Sequence, residues 1–172
     1  MLDDPNFERV VIYMVEHHDE GALGLILNRP STESLDDPLD GWIAAQSDPP
    51  TVFSGGPVEH DALIALARTS EPVDEELGYL APLTGSIASA DLAADPVLVA
   101  ATISHLRVFR GYAGWDSGQL EAEIESGSWL VLDSVPDDVF TAEPDELWRT
   151  VLRRQPGRLG WLASAPDDLA WN

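Results

Sequence analysis

The chain contains no cysteine. Disulfides and thiolate chemistry are therefore excluded, and a reducing cytoplasm fits the composition. It contains no lysine either; all nine basic residues are arginine, against 31 acidic ones, for a net charge of −22 and a sequence pI of about 4.1. Such a surface repels phosphate backbones and anionic lipid, because affinity for nucleic acid rests mainly on Lys and Arg neutralising phosphates. Without lysine, "SGGP" is no phosphate loop. No apolar run reaches the length of a membrane span. The start, "MLDDPNFERV", has neither the basic region nor the apolar stretch of a signal peptide.

What is present is enough apolar material for a core. With 172 residues and 44% hydrophobic content, one domain over 1–172 is expected, and disorder is not. Val10–Val15 is a β-branched and aromatic run that predicts a strand, broken by "EHHDEGA". Leu23–Asn28 predicts a second strand, stopped by Pro30, and the two form a β-hairpin. A short helix is predicted around Leu39–Ala45, with Trp42 and Ile43 facing inward. "PPTVFSGGPV" predicts a short strand ending at a Gly-Gly-Pro turn. Ala62–Ala67 is too short a run for periodicity to decide between strand and helix. Glu71–Pro82 reads as a solvated loop and Ser86–Ser89 as a strand. Asp95-Pro96 starts a helix on which Val97, Leu98, Ala101 and Thr102 follow helical spacing. Leu106–Gly114 and Ser128–Asp133 read as strands. A last helix runs from about Pro144 to Arg154, with Leu147, Trp148, Val151 and Leu152 as its apolar stripe and Pro156-Gly157 as its stop. Hairpins mixed with separate helices predict an α+β fold.

The stretch Gly111–Trp129, "GYAGWDSGQLEAEIESGSW", supports two readings. In the local one, Asp116 is the N-cap of a helix and Gln119 closes a variant capping box. Trp115 and Leu120 then form a hydrophobic staple, and Gly127 ends the helix. That reading leaves Gly111, Tyr112 and Gly114 less directly explained. Glycines there allow another backbone or a ligand to approach closely.

The same stretch resembles the signature block of the AlgH/YqgE family of bacterial proteins. Three further blocks agree, in order along the chain: Asp4–Pro30, with its Asp-Pro-Asn-Phe, Glu-His, Gly-Ala-Leu-Gly and Asn-Arg-Pro elements; Phe53–Val58, "FSGGPV"; and Leu147-Trp148 with the ending at Asn172. The resemblance implies a single α+β domain with a large mixed β-sheet and a few flanking helices, and it makes Ala62–Ala67 a strand. One member's name connects the family with transcriptional control of alginate production. The resemblance supplies no catalytic residues and no cofactor. Members usually carry a further apolar strand before Asp-Pro-Asn-Phe; with Met1-Leu2 at the start of this sequence, the resemblance implies either a truncated start or a member that lacks it.

The candidate chemistry has bland competitors. Glu16, His17, His18 and Asp19 cluster at the first hairpin turn, and Glu59, His60 and Asp61 follow the Gly-Gly-Pro turn. If the turns met, they could ligate a divalent metal. Neighbouring strand residues point to opposite faces, so solvated turn residues are the better reading and no metal site is expected. Ser117 lacks the Gly-x-Ser-x-Gly elbow of a nucleophile. Arg149, Arg153 and Arg154 cluster on the last helix near Asp145 and Glu146, where dipole and ion-pair roles account for them. The expectation is non-catalytic binding or regulation through a protein partner, with no cofactor, no membrane and no direct contact to nucleic acid. The alternative is an enzyme or small-ligand-binding protein. Its cleft would join the Gly111–Gln119 stretch, the Gly55-Gly56-Pro57 turn and the Glu16-His17 hairpin end, with Glu16, His17, Asn28, Gly55, Gly56, Gly111, Tyr112, Gly114, Trp115 and Gln119 as binding residues.

Overall fold

A computed structural model describes residues 9–36, 38–71, 73 and 78–163, the side chains of 158 and 162 excepted. The Asp-Pro-Asn-Phe element and the ending at Asn172 lie outside the described residues. Among the described residues, seven strands form the sheet: β1 (Ile12–His18), β2 (Gly21–Ile26), β3 (Phe53–Ser54), β4 (Val58–Thr69), β5 (Leu80–Thr84), β6 (Ile87–Ala90) and β7 (Ile103–Asp116). Their order is β1-β2-β7-β4-β6-β5, every pair antiparallel, and β3 adds to β7 in parallel. Among the described residues, five short α-helices pack around the sheet: α1 (Pro96–Ala100), α2 (Gln119–Glu125), α3 (Pro136–Val139), α4 (Leu147–Arg153) and α5 (Arg158–Leu162). Two 3-10 helices are seen among the described residues, Asp40–Ala45 and Pro144–Glu146. The fold is α+β, and Ala62–Ala67 is strand.

Both sheet faces are covered. One core gathers Trp42, Ala65, Ala67, Val99, Leu106 and Val108 under the first 3-10 helix and α1. The other gathers Leu25, Phe53, Leu66, Phe109, Phe140 and Leu147 under α3 and α4. The middle of the 14-residue strand β7 is therefore buried on both faces, Leu106 to Phe109 without a break.

Several elements depart from expectation. β1 does not stop at Glu16; it pairs through His17↔Ala22 and His18↔Gly21, and only Asp19-Glu20 turn. Its outer end is solvent-exposed, so polar residues fit its side chains without interrupting its ladder. The first helix is 3-10 and turns Trp42 in (1% exposed) but Ile43 out (44% exposed). In α1 the inward residue is Val99, while Val97 and Leu98 are exposed. A five-residue helix buries one side chain, and its register is set by the Asp95 cap, whose carboxylate accepts from the Val97 N–H at 2.9 Å. The expected loop Glu71–Pro82 lies partly outside the described residues, but its end is β5, with Leu80 buried. Ser128–Asp133 is no strand. It has strand-forming residues but no partner edge, and Leu130 and Val131 are exposed. The last helix is split into a 3-10 turn and α4, with Leu147, Val151 and Leu152 buried.

Candidate functional site

The turn at Gly55-Gly56-Pro57 and the stretch at Gly111 do meet. Phe109 pairs with Phe53 of β3 on one edge and with Ile64 of β4 on the other. Consecutive strands β3 and β4 thus flank β7, and the chain between them must step over it. Gly55 N–H donates to the Arg110 carbonyl at 2.8 Å, and Ile26 N–H donates to the Gly55 carbonyl at 2.9 Å. A Cβ on Gly55 would strike the Gly111 carbonyl, and one on Gly56 would strike the Tyr112 main chain. A Cβ on Gly111, at φ +68°, would stand 2.6 Å from the Gly56 oxygen. Another backbone fills the space that these glycines leave. Tyr112 packs on the α3/α4 core, and Gly114 lies against the Tyr112 ring.

Asn28 closes the open end of the hairpin. Its Oδ1 accepts from Val11 N–H and its Nδ2 donates to the Arg9 carbonyl, both at 2.9 Å. At the other end, His17 Nε2 contacts Glu121 Oε1 at 2.5 Å on the surface, tying β1 to α2. Glu16 is exposed on β1. Ser117 Oγ donates to the Asp19 carbonyl at 2.6 Å, a hairpin tie. His60 sits in the β4 bulge between Val58 and Leu63. Among the described residues no three His, Asp or Glu side chains converge as metal ligands would.

Asp116 is the last residue of β7 rather than a helix cap. The N-cap of α2 is Gly118, at φ +72°, with no side-chain cap bond. Half of the expected box survives: Gln119 Oε1 accepts from the Asp116 N–H at 3.1 Å. Trp115 and Leu120 share one small core, as the staple required. At the other end of α2, Gly127 takes φ +77° while Gly127 N–H reaches the Ile124 carbonyl and Ser128 N–H the Glu123 carbonyl, a Schellman ending. Glu123, not singled out from the sequence, organises the stretch. It accepts from Trp115 Nε1 at 3.0 Å, Trp129 Nε1 at 2.7 Å and Gln119 Nε2 at 2.9 Å. Burial raises its pKa, and the donors from Trp129, Gln119 and Trp115 outweigh that, holding the carboxylate below its ordinary range.

A concavity lies elsewhere. A groove of about 680 Å³ opens between the first 3-10 helix, β4, β6 and the segment leading into α1. Leu39, Trp42, Leu63, Ala90, Leu92 and Pro96 line it. Asp91 stands at its edge, and the exposed Asp40 and Asp95 adjoin lining residues. The Trp42 Nε1–H is already used, donating to the Leu92 carbonyl at 3.2 Å.

The chain matches the family described as AlgH-like over residues 1–160. It belongs to that family. Its AlgH-like relatives include a UPF0301 protein of Streptomyces coelicolor, 43% identical over 99% of this chain and 90% of its own length. Another, from Mycobacterium tuberculosis, is 44% identical over 99% of this chain and 85% of its own. A crystal structure of a Corynebacterium diphtheriae protein superposes with a TM-score of 0.88 at 30% identity, over 96% of this chain and 86% of that one. The solution structure of the AlgH protein from Pseudomonas aeruginosa gives 0.66 at 30% identity, over 97% and 89%. In this AlgH-like chain, two of the four resemblance blocks meet at the β7 crossing: "FSGGPV" supplies Gly55 and Gly56, and the signature block supplies Gly111 and Tyr112. No described helix is long and apolar enough to cross a membrane.

Proposed function

We propose that the protein is a non-catalytic, cytoplasmic binding protein that regulates by holding a protein partner. Its partner presents an amphipathic segment with a basic polar face to the groove beside Trp42. The observation that carries this reading is an apolar lining beside acidic residues: Leu39, Trp42 and Leu92 with Asp91 among them, the exposed Asp40 and Asp95 next to lining residues in the sequence, and no arginine in the lining among the described residues. Burial of apolar surface drives such an association. The acidic residues select a cationic occupant and speed its arrival. Ile43, Val97 and Leu98 extend exposed apolar surface on the two elements that frame the groove. A net charge of −22 disfavours holding DNA directly, so regulation of the kind the family name suggests runs through protein.

The test is a titration of isotope-labelled protein with two designed helical peptides of equal apolar content, one with an arginine face and one with a glutamate face. The arginine peptide is expected to bind, with shifts centred on Leu39, Trp42 and residues 90–94, to weaken with salt, and to fail against Leu39→Glu. Equal binding of both peptides, or shifts centred elsewhere, would sink the reading.

A further inference from the structure

Arg107 lies on β7 in the middle of the sheet and is 1% exposed. Its Nη2 donates to the Asp48 main-chain oxygen at 2.6 Å, and its guanidinium stands over the Phe53 ring, 4.1 Å from the centroid. Nε and Nη1 have no hydrogen-bond partner among the described residues. Ser47, 8% exposed, has an equally unpartnered Oγ. The two share a side of the sheet. Gln46 and Leu106 form a parallel bridge, so their side chains lie on one face and those of the next residues, Ser47 and Arg107, on the other. The chain holds Ser47 there through its N–H, which donates to the Leu106 carbonyl at 2.8 Å.

We propose that Arg107 and Ser47 hold a small monovalent anion of chloride size inside the fold, one that ties the segment before β3 to β7. The unused groups are all able to donate: one N–H on Nε, two on Nη1 and one hydroxyl. The neighbouring orphan acceptor, Gln46 Oε1, belongs to the other face. A water molecule can take the guanidinium's hydrogen bonds and give one to Ser47 Oγ, but it adds no negative charge to that of Asp48. An anion accepts from every donor and neutralises the guanidinium. Burial lowers the Arg107 pKa to about 10, against the opposing charge of Asp48, so the group remains a cation at neutral pH. Asp48 offers its backbone oxygen to Arg107, while its residue as a whole is exposed.

Thermal unfolding in sodium chloride and in sodium gluconate at equal ionic strength tests this, since general screening of the acidic surface is then matched. Wild type is expected to show a chloride-specific rise in Tm that saturates with concentration, as binding to the folded state alone requires. Ser47→Ala should shrink that rise, and Arg107→Met should abolish it. If Arg107→Met does not fold, a wild-type crystal grown in bromide provides the second readout: an anomalous peak within hydrogen-bond distance of Nε and Nη1. Rises of the same size in both salts, or a rise unaltered in Ser47→Ala, overturn the proposal. Density at Arg107 without anomalous signal overturns it too and identifies an internal water.

Discussion

Trp115 and Trp129, fourteen positions apart in sequence, donate their indole N–H groups to the same carboxylate oxygen of Glu123, at 3.0 and 2.7 Å. Their rings meet edge to face with centroids 6.0 Å apart. One charge thus fixes the end of β7, α2 and the segment that follows it. Hydrogen bonds to a charged group contribute about 1.5–3 kcal/mol, so Glu123→Ala should lower stability by about that much. Glu123→Gln keeps an acceptor and should cost less. The pKa of Glu123 is depressed in the folded state. Its contribution is therefore present above the unfolded carboxylate value of about 4.3 and is lost as pH falls through the folded value. Urea midpoints of wild type and Glu123→Gln, measured from pH 7 down to pH 3, should converge below about pH 4.3. A gap that stays constant across the series would refute this account.

The two kinds of glycine in the signature block should behave differently. Gly111 and Gly118 both have positive φ, but only Gly111 has backbone where a Cβ would go. Gly118→Ala should cost about 1–2 kcal/mol, the penalty for a left-handed L-residue. Gly111→Ala adds a clash with the Gly56 and Val58 carbonyls that no rotamer relieves. It should cost well beyond that or prevent folding. Comparable urea midpoints for the two variants would show that the β7 crossing tolerates side chains.

Asp116 and Gln119 separate the expected cap from the observed one. The carboxylate of Asp116 does not cap α2, whose N-cap is Gly118. Asp116→Ala should therefore shift stability by no more than about 0.5 kcal/mol. Gln119→Ala removes the acceptor of the Asp116 N–H and a donor to Glu123, and should cost about 0.5–1.5 kcal/mol. Denaturation of the two variants side by side decides the matter; a larger loss for Asp116→Ala would restore the capping role.

Duplex DNA should not bind. All nine basic residues are arginine, and several are already committed: Arg68 to Asp137, Arg110 to Glu33, Arg149 and Arg153 to Glu146. A labelled duplex titrated in fluorescence anisotropy at physiological salt should show no saturable, salt-sensitive change. Tight binding would revive a direct role at DNA.

The legible parts of the fold were those whose side chains carry their own period or punctuation. The β1–β2 hairpin, β6, β7, the Asp95 cap and the α4 stripe all follow from local pattern. What failed depended on partners distant in sequence. Ser128–Asp133 has strand composition, yet no strand lies beside it, and Trp129 instead docks on Glu123. Arg107 alternates with Leu106 and Val108, which from sequence alone suggests a solvated face; the α3/α4 layer covers that face and buries it. Gly111 was visible as a candidate for close approach, and Gly55 and Gly56 as a turn. That they approach each other follows from the β3–β7–β4 topology, which no local signal encodes. Glu123 looked like one carboxylate among many, because its indole donors lie eight residues before it and six after.

Asp138 and Arg154 form the pair whose disruption should cost most. Asp138 is 3% exposed, and Arg154 meets it with two nitrogens, each at 2.6 Å from a different carboxylate oxygen. The same carboxylate accepts from Val135 N–H at 3.0 Å, so one buried group holds the start of α3 and the end of α4. The pair raises the Arg154 pKa against a smaller opposing effect of burial, so the guanidinium is charged at pH 7. Arg154→Leu leaves the carboxylate buried without its cation and should cost about 3–5 kcal/mol at pH 7. Asp138→Asn strands the guanidinium instead, but Arg154 is about a third exposed at its side chain and can turn to water, so the cost should be smaller. Combining Arg154→Leu with Asp138→Asn should then cost less than the two single changes added together, because neither partner is left charged and alone. Strict additivity in a double-mutant cycle at pH 7 would mean that the pair contributes no coupling, and that α3 and α4 are held by apolar packing alone.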